Sequence, residues 1–472
     1  QFQISGEPGG GPRRLRRPVS CPNPSRATLL SHASHRLTSG SPIRSAMDAP
    51  KRSKTAAAGF PDDPVVEILS RVPAKALFRF KCVSKAWCDL IASRLRGNKS
   101  PQTLEGFFCS SGGGGDATFG SFGSLSGRPA PFVDPSFSFL KKIPGIKDLV
   151  LWSSHNGLLL FGHLRDCGTY GYIVCNPATE QWVAVPSSYW TVSPPLKNLD
   201  YESDDWTADA HHFLIFEPAI SVHFHLVQFC HSRYPKIVER VLIYSSDTGI
   251  WVNNTQAWQQ YGERWTGGAD VVKSKLGSAY LNDRLHVLVY SRYYHHQTIK
   301  DQIVAVDMRR KPCKIIRWPE TKEFSVPAFI GQSQGLLHCI SGHKKVEDGC
   351  DYITGLSIWV LENYDAEQWV LKQSVSCLQL FGETSCGIDE LDVIAIHPDR
   401  SLIFIVHSCN QKLISYAMDT MKVCSLQALG HGCQSVVPYV PYFEKLPTLV
   451  PKHTLDLLVK LEFGGPRNLD ES

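Results

Sequence analysis

One stretch of the sequence has the residue pattern of a catalytic nucleophile. Gly331-Gln332-Ser333-Gln334-Gly335 fits the pattern GxSxG, which presents a serine on a sharp turn between a strand and a helix. The residues that follow, Leu336-Leu337-His338-Cys339-Ile340, are typical of a strand. The pattern therefore predicts a turn between two strands, and since no Ser-His-Asp or Cys-His arrangement can be assigned, we predict no catalytic residue.

Side chains that could hold a metal ion are present but are not spaced for it. The pairs His211-His212 and His295-His296 lack a neighbouring ligand at a metal-binding interval and are predicted to be surface histidines. The 15 cysteines contain no CxxC pair, which argues against zinc and against the disulfide framework of a small secreted domain. We expect mostly buried thiols in a reducing compartment, and no metal or cofactor.

Charge is concentrated at the start of the 472-residue chain. Residues 1–46 hold seven arginines and one acid, and the remainder has 42 basic and 43 acidic residues, a net charge of −1. This balance does not favour nucleic-acid binding. The arginine-rich leader resembles a transit peptide, but we favour non-native upstream sequence, because Met47-Asp48-Ala49 is typical of a natural start. The sequence contains no apolar run of about 18 residues, so we predict no membrane-spanning helix.

Helical periodicity marks a small module at residues 60–95, after a leader at 1–59 that we expect to be disordered. Val65, Ile68, Leu69 and Val72 form one apolar stripe. Pro64 suits a first helical turn, and a proline at 73 ends the helix. Two further short helical segments follow. A module of this size is marginal alone and needs a partner or a neighbour to cover its apolar side.

The rest of the chain is predicted to be mostly β. Residues 96–129 are rich in Gly and Ser and are interpreted as a linker, whereas residues 130–446 alternate with the period of strands. Residues 447–472 are a C-terminal tail.

A hairpin recurs through residues 130–446 at intervals of roughly 50 to 70 residues. Its copies run from Tyr172 to Trp182, from Val241 to Trp251, from Ile303 to Trp318, from Leu356 to Trp369 and from Leu413 to Val423. Each is preceded by a turn that feeds an apolar strand, such as Asn156-Gly157. Four-stranded sheets at this period predict a β-propeller of about six blades; residues 213–229 and the ends leave room for the sixth. Trp182, Trp251 and Trp369 are predicted to lie in the blade core.

Two motifs resemble a known family. The first comprises Phe60-Pro61-Asp62-Asp63, Glu67-Ile68-Leu69-Ser70-Arg71-Val72-Pro73-Ala74-Lys75 and Phe80-Lys81-Cys82-Val83-Ser84-Lys85-Ala86-Trp87. It resembles the F-box, in particular its plant form. The second comprises Asn176-Pro177-Ala178-Thr179 with Trp182 and the closing Tyr439-Val440-Pro441-Tyr442-Phe443-Glu444-Lys445-Leu446. It resembles the kelch-related F-box-associated domains of plants.

The resemblance implies a non-catalytic adaptor of an SCF-type cullin ubiquitin ligase, cytoplasmic, nuclear or both. The F-box would bind a Skp-type adaptor and, through it, cullin and a RING subunit. The positions that match the family's contact face or its support are Pro61, Ile68, Leu69, Val72, Leu77, Val83 and Trp87. Phe60 and Pro64 stand where the family usually has Leu, and Pro64 removes an apolar anchor.

Three insertions, at residues 187–211, 253–268 and 291–297, are predicted to bind the target protein, because loop aromatics and arginines are typical of binding hot spots. The candidate residues are Trp190, Trp206, Trp258, Tyr261, Arg264, Trp265, Tyr293 and Tyr294. The acids of the first insertion favour a basic target segment. The alternative function is a propeller enzyme or glycan-binding protein that uses the helical module as a packing or regulatory appendage.

Overall fold

The computed structural model describes the chain in separate segments. These are residues 62–70, 80, 83–94, 104–111, 119–125, 133–143, 149–164, 170–188, 210–232, 237–262, 269–292, 302–309, 311–319, 325–429 and 433–449. The leader at 1–59 and tail residues 450–472 therefore lie outside the described residues. Within the described segments, no helix combines the length and the apolarity needed to span a bilayer.

Two short helices form the N-terminal module: α1 (Asp62–Ser70) and α2 (Lys85–Arg94). Val65 and Leu69, one turn apart on α1, pack against Leu90 and Ile91 of α2, and all four side chains are buried. Helices of nine and ten residues are marginal by themselves, so this contact holds them together.

Two strands lie in the segment that the sequence analysis interpreted as a linker: β1 (Gly106–Ser111) and β2 (Phe119–Ser124). They pair antiparallel, with Phe108 opposite Phe122. The linker prediction for residues 96–129 is therefore wrong at these strands, and Gly112 to Gly115 lie outside the described residues.

Five sheets of four or five strands follow along the chain. Blade 1 contains β3 (Val150–His155), β4 (Leu158–Leu164), β5 (Tyr170–Asn176) and β6 (Gln181–Val185). Blade 2 contains β7 (Ala210–Phe216), β8 (Phe224–His231), β9 (Val238–Ser245) and β10 (Ile250–Asn253), followed by helix α3 (Thr255–Gly262). Blade 3 contains β11 (Ala269–Val272), β12 (Ser278–Leu281), β13 (Arg284–Arg292), β14 (Gln302–Asp307) and β15 (Lys314–Arg317).

The remaining elements continue the same pattern. Blade 4 contains β16 (Ser325–Ser333), β17 (Leu336–Glu347), β18 (Cys350–Asn363), β19 (Gln368–Ser376), helix α4 (Cys377–Phe381) and β20 (Cys386–Gly387). Blade 5 contains β21 (Leu391–Ile396), β22 (Leu402–His407), β23 (Lys412–Ala417) and β24 (Lys422–Ala428).

The two ends of the propeller build the sixth blade together. The last strand, β25 (Cys433–Tyr439), pairs antiparallel with β1, so that the order in this sheet is β2-β1-β25. The six-bladed propeller is thus confirmed. The location expected for the sixth blade needs one correction, because residues 213–229 belong to β7 and β8 of blade 2 and only the ends form blade 6.

A separate apolar cluster fills each of the six junctions between neighbouring blades. At the closing junction, Phe108 and Tyr439 of blade 6 pack against Leu159 and Phe161 of blade 1. The other five clusters join blades 1 and 2, 2 and 3, 3 and 4, 4 and 5, and 5 and 6. Successive side chains of a strand point to opposite faces of its sheet, and each face packs into one of two junctions. Because both faces are covered, the side chains on both are mostly apolar.

The tryptophans predicted in the blade core pack against these junction clusters. Trp182, Trp251 and Trp369 are each partly buried, so they border the core and are not enclosed in it as predicted. The indole nitrogen of Trp251 also donates a 2.7 Å hydrogen bond to the carbonyl oxygen of Pro186 in the preceding blade.

Residues 440–449, which we call the C-terminal clasp, cross from blade 6 over blade 1 to blade 2. Gln181 of β6 exchanges two hydrogen bonds with Leu446, at 2.9 and 3.3 Å. Leu446 and Leu449 are buried in the cluster between blades 1 and 2. The clasp begins directly after β25, the strand that joins the two ends of the propeller. It therefore adds contacts that hold blade 6 to blades 1 and 2.

Candidate interaction surfaces

The helical module separates its apolar side chains into a core and an exposed pair. Leu69 is only 2% exposed and belongs to the core, whereas Ile68 and Val83 are both 65% exposed. Trp87 is partly buried, with its ring 5.5 Å from that of Phe80. An exposed apolar pair on so small a module is suited to contact with another protein.

Local hydrogen bonds fix the start of α2, close to Val83 and Trp87. The side-chain oxygen of Ser84 accepts a 3.2 Å hydrogen bond from the backbone nitrogen of Trp87, which caps the helix. The backbone nitrogen of Val83 donates to the carbonyl oxygen of Phe80 at 3.1 Å. This turn holds Val83 just before the helix begins.

The predicted adaptor-binding residues therefore divide into three groups. Ile68 and Val83 are open to a partner, and Trp87 is partly open. Leu69 can support a contact face but cannot line it, because α2 covers its side chain. Pro61, Val72 and Leu77 lie outside the described residues.

One of the predicted target-binding residues is corrected by the structure. Trp258 lies on α3, is 5% exposed and packs edge-on against Phe229 at 5.4 Å in the cluster between blades 2 and 3. Helix formation from Thr255 turns this side chain inward, where its large apolar surface is removed from water. The backbone of Tyr261 lies on the same helix, but its side chain is not described. Trp190, Trp206, Arg264, Trp265, Tyr293 and Tyr294 lie outside the described residues.

The three segments predicted to bind a target begin and end at one end of the propeller. The first strands of neighbouring blades run in parallel: Nδ1 of His155, at the end of β3, lies 2.9 Å from the carbonyl oxygen of Phe216, at the end of β7. Gly277 and Ile330 also form a parallel bridge between blades 3 and 4. Since strands alternate in direction within a blade, the connections β6–β7, β10–β11 and β13–β14 all leave from the same end, which we call the target end.

Blade 4 contributes described elements to the target end. β17 and β18 form a hairpin that extends past β16, because β16 pairs with β17 only as far as Ser325 opposite His343. At the tip, Lys344 and Asp351 form a 2.7 Å ion pair, and Val346 is exposed. Helix α4, which follows β19, presents the exposed side chain of Leu378. This end therefore offers apolar and charged groups to a macromolecule.

The serine of the GxSxG pattern is part of the propeller framework. Ser333 ends β16, and Leu336 begins β17, so the turn joins two strands as predicted. Ser333 is 1% exposed, and its hydroxyl donates a 2.7 Å hydrogen bond to the carbonyl oxygen of His397 in blade 5. A buried hydroxyl that is engaged with backbone is not positioned as a nucleophile.

The histidine pair at 211–212 is buried, contrary to the surface position predicted from sequence. His211 and His212 lie on β7, whose neighbours cover both of its faces. Nε2 of His212 is 3.2 Å from the hydroxyl of Tyr172, and its ring stacks on Trp152 at 4.4 Å. Burial, with a smaller effect of His211, lowers the pKa of His212 to about 3.

Two further histidines behave in the same way. Burial lowers the pKa of His286 to about 4, and Nε2 of this residue lies 2.8 Å from the hydroxyl of Tyr364 in blade 4. Burial, with the nearby charge of Arg400, lowers the pKa of His397 to about 4. The neutral rings of His212 and His286 each contact a side chain of a neighbouring blade, whereas Nδ1 of His397 accepts a 3.1 Å hydrogen bond from the backbone nitrogen of Asp399 in its own blade. In the described part of the chain, no three His, Cys, Asp or Glu side chains are grouped to hold a metal ion.

Comparison with known families matches both parts of the chain. A family model described as "F-box protein At3g26010-like, beta-propeller" matches residues 124–436, and the F-box domain model matches residues 59–99. Together they cover the helical module and most of the propeller.

Individual relatives share shorter stretches. "F-box protein At4g19940" of Arabidopsis thaliana is 34% identical over 134 residues, which are 27% of this chain and 31% of the relative. "F-box protein At5g07610" of the same plant is 26% identical over 214 residues, 40% of this chain and 44% of the relative. The chain thus matches about a third of the length of the first relative and less than half of the second.

Among solved structures, a chain of "Crystal structure of Nidogen/Laminin Complex" aligns with 63% of this chain and 85% of its own length. The sequence identity is 7% and the TM-score 0.32.

Proposed function

This chain belongs to the F-box protein family whose propeller is of the At3g26010-like kind, and from that premise we propose that it is the substrate-recognition subunit of an SCF-type cullin ubiquitin ligase. Its F-box would bind a Skp-type adaptor and, through it, cullin and a RING subunit. The propeller would hold the protein to be ubiquitinated.

The exposure of Ile68 and Val83 is the observation that carries the proposal. Both residues lie within the part of the chain that matches the F-box domain, and both are exposed, as the predicted contact with the adaptor requires. Apolar and aromatic anchors provide most of the affinity in protein interfaces, and the partly buried Trp87 supplies an aromatic side chain on the same module. The buried cluster of Val65, Leu69, Leu90 and Ile91 keeps these groups in place.

The proposed mechanism is proximity. A target held at the propeller meets the activated ubiquitin carried by the other end of the ligase, so the effective concentration of the two reactants rises. This role requires no catalytic group on the chain. The buried position of Ser333 is consistent with a non-catalytic subunit and counts against a serine-dependent propeller hydrolase.

We propose the target end as the surface that binds the substrate protein. All three insertions rich in aromatic residues start and finish there, and loop aromatics and arginines dominate the energy of protein interfaces. Trp190, Trp206, Tyr261, Arg264, Trp265, Tyr293 and Tyr294 remain the predicted contacts, and Trp258 is withdrawn because it is buried. The acids within 187–211 favour a target with a basic segment.

Adaptor binding is tested by capture of a purified Skp-type adaptor on the full chain. Ile68→Asp and Val83→Asp should each abolish capture, because a carboxylate in an apolar interface loses its hydration. Lys85→Ala, at an exposed position on the same module, is the matched control and should bind normally. Capture by both aspartate variants at the parent level, or none by the parent chain, would refute the proposal.

Target binding and location need separate experiments. Proximity labelling in plant cells with the full chain and with a Trp265→Ala, Tyr293→Ala, Tyr294→Ala variant should show labelled proteins that depend on these side chains. Identical labelling by both forms would exclude these residues as contacts. We also propose that the chain acts in the cytoplasm, the nucleus or both, and a fluorescent fusion found in another compartment would contradict this.

A further inference from the structure

Blade 2 carries three exposed aliphatic side chains at the end opposite the target end. Ile220 is 69% exposed, Val222 43% and Ile250 58%. The loop that carries the first two lies against the turn before Ile250, since Nε2 of His223 is 3.4 Å from a carboxylate oxygen of Asp247. We call these three residues the blade 2 patch.

The C-terminal clasp delivers the chain to this patch. The hydroxyl of Thr448 donates a 3.2 Å hydrogen bond to the carbonyl oxygen of Val222, a member of the patch. Leu449, the last described residue, is fully buried in the cluster between blades 1 and 2. The polypeptide therefore leaves the described structure beside uncovered apolar surface.

The sequence beyond this point has the pattern of a strand with one apolar side. From 455 to 463 it reads Leu-Asp-Leu-Leu-Val-Lys-Leu-Glu-Phe. Its odd positions, 455, 457, 459, 461 and 463, are all apolar, and three of its four even positions are charged. This alternation over nine residues, interrupted only by Leu458, predicts an extended segment that buries one side.

We propose that residues 455–463 pack their apolar side on the blade 2 patch and so extend the clasp onto blade 2. The five intervening residues span at most about 17 Å, which suits a surface that begins next to Thr448. The covalent connection gives this segment a high effective concentration at the patch. The competing occupants are a second copy of the chain and an unrelated protein. This inference does not depend on the ligase function.

Limited digestion of the full chain with trypsin tests the proposal. Lys460 lies inside the proposed strand and Arg467 lies beyond it, so cleavage after Arg467 serves as an internal reference. We expect slow cleavage after Lys460 in the parent chain and an acceleration of about tenfold in an Ile220→Asp, Ile250→Asp variant, because the apolar contact is lost. Leu457→Asp should give the same acceleration from the other side of the contact.

The control is Val346→Asp on the blade 4 hairpin, a position that is 62% exposed. This variant should leave the ratio of the two cleavages unchanged. Equal cleavage after Lys460 and Arg467 in the parent chain, or an unchanged ratio in the Ile220→Asp, Ile250→Asp variant, would overturn the proposal. Protection that rises with protein concentration would also overturn it, in favour of a second copy.

Discussion

Asn176 donates its side-chain amide to the carbonyl oxygen of Tyr442 at 2.8 Å. The same amide reaches the carbonyl oxygen of Glu444 at 3.3 Å, and its oxygen accepts from the backbone nitrogen of Ala178. The bond joins the two sequence motifs on which the resemblance to plant F-box-associated domains rests. The first forms the turn between β5 and β6, and the second forms the C-terminal clasp.

Loss of this bond should weaken the propeller. Asn176 is fully buried, so Asn176→Ala leaves the carbonyl oxygen of Tyr442 without its donor. The expected loss is about 1–3 kcal/mol in the free energy of unfolding, measured by denaturant titration. Glu180→Gln, an exposed change in the same turn, should shift it by less than about 0.5 kcal/mol. Equal effects of the two changes would show that the clasp contributes nothing at this point.

Leu69 and Ile68 are neighbours in sequence but should respond differently to substitution. Leu69→Ala removes part of the module's core and should destabilise the module by about 2–5 kcal/mol. Ile68→Ala alters an exposed side chain and should change its stability by less than about 0.5 kcal/mol. Hydrogen exchange of the amides of α1 and α2 measures both effects. Comparable exchange in the two variants would contradict the division into core and exposed pair.

Two tryptophans differ in what their indole nitrogens contact. Trp251 donates to Pro186, so Trp251→Phe should cost about 1 kcal/mol beyond the change in ring size. The indole nitrogen of Trp359 is buried and finds no acceptor among the described residues, so Trp359→Phe should cost less or stabilise. Thermal unfolding compares the two variants. A larger loss for Trp359→Phe would refute this account of the bond between blades 1 and 2.

Mild acid should destabilise the propeller through its buried histidines. His212, His286 and His397 have folded-state pKa values of about 3, 4 and 4, against 6.5 for an ordinary histidine. Below pH 6.5 the unfolded chain takes up protons that the folded chain does not, so stability falls as the pH drops from 6.5 towards 4. Each histidine should contribute about 1–2 kcal/mol to the loss at pH 5.

Urea titrations at pH 7.5 and pH 5 measure this dependence. A His212→Gln variant should lose less stability between these two pH values than the parent chain, even if it is less stable at both. A free energy of unfolding that is equal at pH 7.5 and pH 5 in the parent chain would contradict the buried, neutral state of these rings.

Local features of the propeller could be read from the sequence because they depend on near neighbours. Alternation of apolar residues marks strands, and Asn156-Gly157 and Gln334-Gly335 adopt the positive φ angles of tight hairpin turns. The recurring tryptophan at the start of the outer strand indicated the repeat, and the repeat indicated about six blades. The F-box register predicted that Ile68 and Val83 belong to a contact face, and both side chains are exposed.

Sequence pattern did not show which distant segments meet. Gly106 pairs with Tyr439, so the sixth blade is built from both ends of the propeller. The strands β1 and β2, in the expected linker, become part of a blade only because β25 pairs with β1. The inward position of Trp258 and of His211 and His212 was missed for the same reason.

The amino-acid sequence by itself determined which segments have helical or strand periodicity, where the turns lie and how residues 60–87 align with the F-box motif. These features follow from residue type and spacing along the chain. Tertiary structure alone decided the closure of the ring and whether a given ring or imidazole is buried. Both depend on the surface that a neighbouring blade presents, and that surface is contributed by residues far away in the sequence.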